Sequence, residues 1–148
     1  MSVPRLLLDT SVLVPAMVAA HEHHKQALPW LERAVAGEFK LVVAAHSLAE
    51  CFATLTRLPH GLASSPAQAA AVITGNLLRR AKAVIAALDA DDYQAVLEDL
   101  GMRGIAGGIV YDALLVRAAR RNRARIVTFN QRHFARLVSD PAHDLVSP

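Results

Sequence analysis

Cysteine is almost missing from this chain. The only one in 148 residues is Cys51, so no internal disulfide can form, which agrees with a reducing compartment. Aromatic residues are scarce too, at 5% with a single tryptophan, Trp30, so stacking on aromatic platforms is poorly suited to dominate recognition of a nucleic acid. The longest stretch without formal charge, Leu58 to Leu78, is interrupted by Pro59, His60, Gly61, Ser64, Ser65, Pro66, Gln68 and Asn76, and reads as no membrane span. The N-terminus lacks the basic stretch, apolar segment and small-residue cleavage site of an export signal. The expectation is a cytoplasmic protein without a membrane segment. No stretch resembles a linker or a low-complexity tail, so residues 1–148 read as one domain.

What the chain does contain is enough apolar material for a core, 53% of its residues, and a modest net charge of +3. The charge is unevenly placed. Eight of the sixteen lysines and arginines fall between Arg103 and Arg136, an arrangement that fits either a footprint for phosphates or a solvated helix face.

Short apolar runs occur at Arg5 to Leu8, Phe39 to Ala44, Ala83 to Ala87, Arg125 to Thr128 and Asp144 to Val146. They do not alternate with polar residues, which places them in a sheet covered on both faces, and such sheets are mostly parallel with helical crossovers. Helical segments are expected between them. The first runs from Ser11 to Val35 with a break near His21 or Pro29, and the second from Ser47 to Leu58 before Pro59. The third is announced by Ser65, Pro66 and Gln68, a capping box with proline in the first turn, ahead of Ala69 to Leu78. Asp91 to Leu100, stopped by Gly101, and Ile109 to Arg121, preceded by Gly107 and Gly108, complete the set. This alternation predicts an α/β fold, a three-layer α/β/α sandwich with a mainly parallel central sheet.

Four polar residues stand at suggestive places. Asp9 follows Leu6-Leu7-Leu8 and should lie at the carboxyl end of a buried strand, where ligands bind in open α/β sheets; it, Thr10 or Ser11 could equally cap the next helix. Glu50 shares a helical face with Thr54 and Arg57, opposite an apolar stripe of Leu48, Phe52 and Leu55, yet Ser47-Leu48-Ala49-Glu50 is also a capping box that explains it without chemistry. Asp112 shares the inward face of its helix with Leu115, Val116 and Ala119, and a carboxylate there needs a metal, a donor or the helix dipole. Asn130 follows the strand Ile126-Val127 and could cap a short helix. Crowded carboxylates repel one another and raise their own pKa values unless a cation joins them, and Mg2+ or Mn2+ takes oxygen ligands of this kind.

The strings Leu6-Leu7-Leu8-Asp9-Thr10-Ser11-Val12-Leu13, Ser47-Leu48-Ala49-Glu50, Gly108-Ile109-Val110-Tyr111-Asp112-Ala113-Leu114-Leu115 and Val127-Thr128-Phe129-Asn130-Gln131-Arg132-His133-Phe134 resemble PIN-domain nucleases, VapC-type toxins in particular, over nearly the whole chain. That resemblance implies a metal-dependent endoribonuclease using Mg2+ or Mn2+, often a homodimer, that cuts single-stranded RNA and is neutralised by a small antitoxin. By the same resemblance, Asp9, Glu50 and Asp112 match the family's acids, Asn130 stands beside them, and Ser11 and Thr128 match supporting hydroxyls. Many members carry aspartate where this chain has Asn130. A neutral amide there points to one well-held ion on Asp9 and Asp112, with a second only when RNA supplies ligands. Arg103, Arg117, Arg120, Arg121, Arg123 and Arg132 are the candidates for holding RNA phosphates.

A catalytically silent PIN-like module binding RNA or protein is the alternative, supported by the Asn130 departure. Phosphoryl transfer to Asp9 in a receiver-like or dehalogenase-like fold fits less well: the former wants another acid beside or before Asp9, the latter one at position 11, which is Ser11. His21-Glu22-His23-His24 reads as a polar turn rather than a zinc site, because the histidines are too close for one helical face. Cys51 reads as a buried small side chain and Trp30 as core packing. The helices Ser47 to Leu58 and Ser65 to Leu78 could leave a groove for a dimer mate or an antitoxin helix.

Overall fold

A computed structural model describes residues 2–148. In chain order its elements are β1 (Arg5–Leu8), α1 (Thr10–Met17), α2 (His24–Val35), β2 (Lys40–Ala44), α3 (Ala45–Leu55), α4 (Pro66–Ile73), β3 (Val84–Ala86), α5 (Ala90–Met102), α6 (Ile109–Arg121), β4 (Arg125–Val127), α7 (Gln131–Ala135), α8 (Pro141–Asp144) and β5 (Leu145–Val146). A wide helical stretch, Thr74–Arg80, continues α4.

The five strands form one parallel sheet in the order β3-β2-β1-β4-β5. Successive strand side chains point to opposite faces, and β1 serves both sides of the sheet. Leu6 and Leu8 pack into one core with α1, α2, α3 and α4, while Leu7 packs into another with α5, α6 and α7. Both faces are therefore apolar and covered, so the non-alternating runs are those of a three-layer α/β/α sandwich. After β1 the chain builds β2 and β3 on one side, then returns to place β4 and β5 on the other. The gap between the carboxyl ends of β1 and β4 is the topological switch point, where such sheets bind ligands.

The helix boundaries differ from the side-chain pattern in places. The break in the first helical region falls between Met17 and His24, including His21; Pro29 lies inside α2. The expected Ser65 box is present, with Ser65 Oγ accepting from Gln68 N at 3.2 Å and Gln68 Oε1 accepting from Ser65 N at 3.0 Å. Ser47 caps nothing: α3 already begins at Ala45, and Ser47 Oγ is buried without a partner among the described residues. That start rotates the inward face of α3 onto Ser47, Cys51 and Leu55, leaving Phe52 exposed rather than in the apolar stripe. The helix stops at Leu55 instead of Leu58, its last turn closed by the Thr56 hydroxyl donating to Phe52 O at 2.9 Å. Gly101 sits within the last turn of α5, which ends one residue later.

Helix α6 matters most for the site. Gly107 has φ +88°, a left-handed turn that glycine adopts without strain, and it delivers the chain so that Asp112 falls in the first turn of α6. Asp92 then fixes α6 against α5. Its carboxylate is 1% exposed, caps α5 together with Asp89, and accepts from Arg117 Nε at 2.7 Å and from Arg121 Nη1 at 2.5 Å. Arg121 also reaches Asp89 at 3.3 Å. Among the described residues no helix is long and apolar enough to cross a membrane.

The hydrogen bond from Arg117, reinforced by the Asp89 backbone and Arg121, holds the Asp92 carboxyl down to about 2 from 3.8. An acid with a lowered folded-state pKa stabilises the fold above its unfolded value and loses that contribution as pH falls through the folded one. Asp92→Asn should therefore lower Tm at pH 7 and, in urea unfolding at a series of pH values, flatten the loss of stability between about pH 4 and pH 2. An unchanged acid limb would show that the clamp does not hold α5 to α6.

Candidate active site

The site starts with Asp9. Strand β1 ends at Leu8, and the chain turns straight into α1, so Asp9 stands over the switch point with its side chain 4% exposed. It occupies the N-cap position of α1, and its carbonyl accepts from Val12 N and Leu13 N, but its side chain makes no capping bond. The carboxylate takes two hydroxyls instead. Ser11 Oγ donates to Oδ1 at 2.6 Å, and Thr128 Oγ1, fully buried at the end of β4, donates to Oδ2 at 2.7 Å. Both hydroxyls also accept backbone N–H groups, Ser11 from Phe129 at 3.1 Å and Thr128 from Asn130 at 2.9 Å. With those acceptor sites filled, each hydroxyl proton is directed at Asp9. Burial pushes the Asp9 carboxyl up to about 6 despite these two bonds, and the charge of Asp112 adds to the rise.

Glu50 is held from the same turn: Thr10 Oγ1 donates to its Oε2 at 2.8 Å. The capping-box explanation of Glu50 falls with the start of α3 at Ala45, and its partner lies 40 residues away in sequence. Asp112 has a side chain 27% exposed, with His133 Nδ1 at 3.8 Å from its Oδ2. Burial raises its pKa, His133 opposes this, and Glu50 adds to it. The charges of the three acids thus act on one another. Asn130 is exposed, caps α7 by position alone, and makes no side-chain bond among the described residues. Of the named residues the fold brings Asp9, Ser11, Thr128, Glu50 and Asp112 together, with Asn130 at the rim.

Two residues of this centre carry no clear signal in the sequence. Thr10 reads there only as a possible cap. His46 lies one turn before Glu50 on α3; burial lowers its pKa, while Glu50 and Asp112 oppose the shift. The i, i+4 spacing of His46 and Glu50 is readable only once α3 is known to begin at Ala45. Cys51 lies behind, its thiol raised to about 12 by burial with help from Glu50 and Asp9, which leaves it inert.

The donor set suits a hard cation. Asp9 and Glu50 have no basic side chain within ion-pair distance among the described residues, and all three acids offer oxygen. No group of three His, Cys, Asp or Glu side chains among the described residues closes into a cage. Mg2+ does not require one, since it keeps several waters and uses one or two carboxylates. The turn around His21 to His24 is no metal site either: His24 Nδ1 lies 2.7 Å from Pro15 O, and His23 stacks on Phe129 with ring centroids 4.8 Å apart. Trp30 packs against the core beside Phe39, and the Arg33 guanidinium lies 4.7 Å from its ring.

The arginines named as candidates for RNA phosphates differ in their surroundings. Arg117 and Arg121 are committed to Asp92, while Arg120 donates to Leu137 O and Ser139 Oγ, each at 3.3 Å. Arg103 pairs with Asp99 at 3.2 Å and also donates to Arg136 O. Arg123 lines a cavity with Arg5 and Lys40 at the amino ends of the strands, the edge opposite the acids. Arg132 is exposed on α7.

An α/β/α sandwich with a buried aspartate at its switch point and two further acids beside it gathers oxygen ligands of the kind hard divalent cations take. The PIN domain family model matches residues 6–139, and the chain belongs to that family. It is 33% identical over 129 residues to Ribonuclease VapC27 of Mycobacterium tuberculosis, covering 87% of each chain. It is 34% identical over 124 residues to Ribonuclease VapC40 of the same organism, covering 81% of this chain and 82% of that one. Its fold matches a chain in the crystal structure of VapBC2 from Rickettsia felis bound to a promoter DNA fragment, with TM-score 0.65, 20% identity and coverage of 97% and 98%. A chain of DNA-bound VapBC from Salmonella typhimurium matches with TM-score 0.64, 17% identity and 98% coverage of each chain.

Thr128 is fully buried with both hydroxyl roles in use, whereas Ser11 is partly exposed and water can replace it. Thr128→Val, which keeps the shape, should therefore cost about 1–3 kcal/mol in denaturant unfolding, and Ser11→Ala less. Equal costs for the two would contradict the difference in burial between these hydroxyls.

Proposed function

We propose that this chain is a metal-dependent endoribonuclease, the toxin of a toxin-antitoxin pair, that hydrolyses single-stranded RNA in the cytoplasm. The observation that carries this reading is the Asp9 carboxylate, buried at the switch point, raised to about 6 and facing two further acids with no basic partner of its own among the described residues. Membership of the PIN domain family and relatives named ribonucleases support the choice of RNA.

Asp9 and Asp112 would hold one Mg2+ or Mn2+, with water completing its shell. When bound, the ion supplies a water of lowered pKa and offsets charge building up on the phosphate. Ser11 and Thr128 keep the Asp9 carboxylate in one orientation, as outer-shell partners do for metal ligands. Glu50, steadied by Thr10, takes the proton of the attacking water. Water adds to phosphorus, the bond to the leaving ribose oxygen breaks, and that oxygen acquires a proton. Asn130 offers a neutral carbonyl oxygen at the rim, which limits the protein to one firmly held ion and leaves a second to ligands from the RNA.

The partner of the proposed toxin is a small antitoxin, a reading supported by the fold shared with chains of VapBC assemblies. A homodimer is also proposed, and light scattering at micromolar concentration tests it: a strict monomer contradicts it.

Asp9→Asn and Asp112→Asn should each reduce RNA cleavage by more than the roughly 10- to 100-fold that outer-shell changes cost, and abolish growth inhibition on expression. Mn2+ or Mg2+ should raise Tm of the native protein through preferential binding to the folded state, and Asp9→Asn should erase that rise. Growth inhibition that survives both substitutions, with no RNA cleavage by the native chain, would instead favour a catalytically silent binding module.

A further inference from the structure

Beside Asp112 a cavity of about 360 Å3 opens between α6 and α7, lined by Gly108, Ile109, Asp112, His133 and Arg136. One wall carries Asp112, the one acid of the centre that lines the cavity. The other carries the Arg136 guanidinium and the His133 ring: the two residues stand three apart on and just beyond α7, a spacing that brings side chains onto one face. The Arg136 guanidinium is exposed and has no hydrogen-bond or ion-pair partner among the described residues; only its carbonyl is engaged, by Arg103. This separates it from Arg103, Arg117, Arg120 and Arg121, whose guanidinium groups already serve carboxylates, carbonyls or hydroxyls. A guanidinium presents a fork of donors matched to phosphate oxygens, and the cavity has the size of a small-ligand pocket.

We propose that Arg136, assisted by His133, binds the RNA phosphate next to the scissile one and so sets the position of the strand across Asp112. The inference rests on the ribonuclease reading. In that arrangement the phosphate to be cut lies over the acids, its neighbour lies against α7, and recognition is of the backbone rather than of a base. Arg136 is a binding residue for the flanking nucleotide, and a substrate with one phosphodiester and no flanking phosphate does not use it.

The test uses single-stranded RNA and the full-length chain carrying Asp9→Asn to keep the RNA uncut. Anisotropy of a labelled oligonucleotide over a salt series should show Arg136→Gln weakening binding several-fold and lowering the slope of log K against log salt by about 0.7, the value for one phosphate contact on a single strand. Arg123→Gln removes the same charge at the opposite sheet edge and should leave the slope as it was. Equal effects of the two substitutions, or no effect of Arg136→Gln, overturn the proposal, as does an absence of RNA binding by the parent. In the Asp9-intact chain, Arg136→Gln should raise KM for an oligonucleotide several-fold, as expected for one solvent-exposed charge contact, and change kcat/KM for a dinucleotide far less. Equal losses on both substrates overturn the assignment. If RNA binding shows the Arg136 effect but the native chain cuts no RNA, the nuclease reading fails and takes the scissile-neighbour assignment with it, leaving Arg136 as an RNA-phosphate contact; if the native chain cuts RNA and Arg136→Gln matches it on every substrate, this inference fails alone.

Discussion

The carboxylate of Asp9 is the constraint around which the rest of the molecule is arranged. It is buried at the end of the central strand, and its two oxygens take hydroxyl protons from Ser11 and Thr128. Those bonds join the first turn of α1 to the end of β4, across the one gap in the sheet where the direction of chain growth reverses. Burial nevertheless raises its pKa to about 6. Ionising such a group without a counter-charge opposes folding, so the fold holds a charge here that an added cation would stabilise. Functional sites commonly carry local instability of this kind.

The neighbouring acids extend the same condition. Glu50 reaches the centre from α3 and is tied to Thr10 beside Asp9; Asp112 reaches it from α6, whose position depends on the Asp92 clamp and the left-handed turn at Gly107. Basic residues are numerous in this half of the chain, yet most are engaged in structure. The charge cluster between Arg103 and Arg136 thus divides into arginines that hold α5, α6 and the loop after α7 in place, Arg123 at the opposite sheet edge, and Arg136, just beyond α7, in the cavity beside Asp112.

The sheet is legible in the sequence because each strand is apolar on both faces, a pattern that only a doubly covered sheet explains. The Ser65 box is legible because capping is local, confined to residues three apart. Asp9 and Asp112 can be read because each lies near a clear boundary, the end of an apolar run or a glycine turn. The features that cannot be read depend on contacts between distant segments. Ser47 and Glu50 fit a local capping pattern, but β2 passes directly into α3 at Ala45, so the helix starts earlier and Glu50 turns towards Thr10. The arginines on α6 look free in the sequence because Asp92, their partner, lies 25 and 29 residues away. His46 and Arg136 are silent for the same reason: their surroundings form only after the helices are docked.

Asp9 is held as a raised carboxylate with no basic partner among the described residues. Carbon-13 NMR of labelled aspartate carboxyl groups, with Asp9 assigned through Asp9→Asn, measures this directly. Titration near 6 is expected without divalent metal, with a fall well below that value when Mg2+ is added. Titration at the ordinary aspartate value of about 3.9, indifferent to Mg2+, would contradict it.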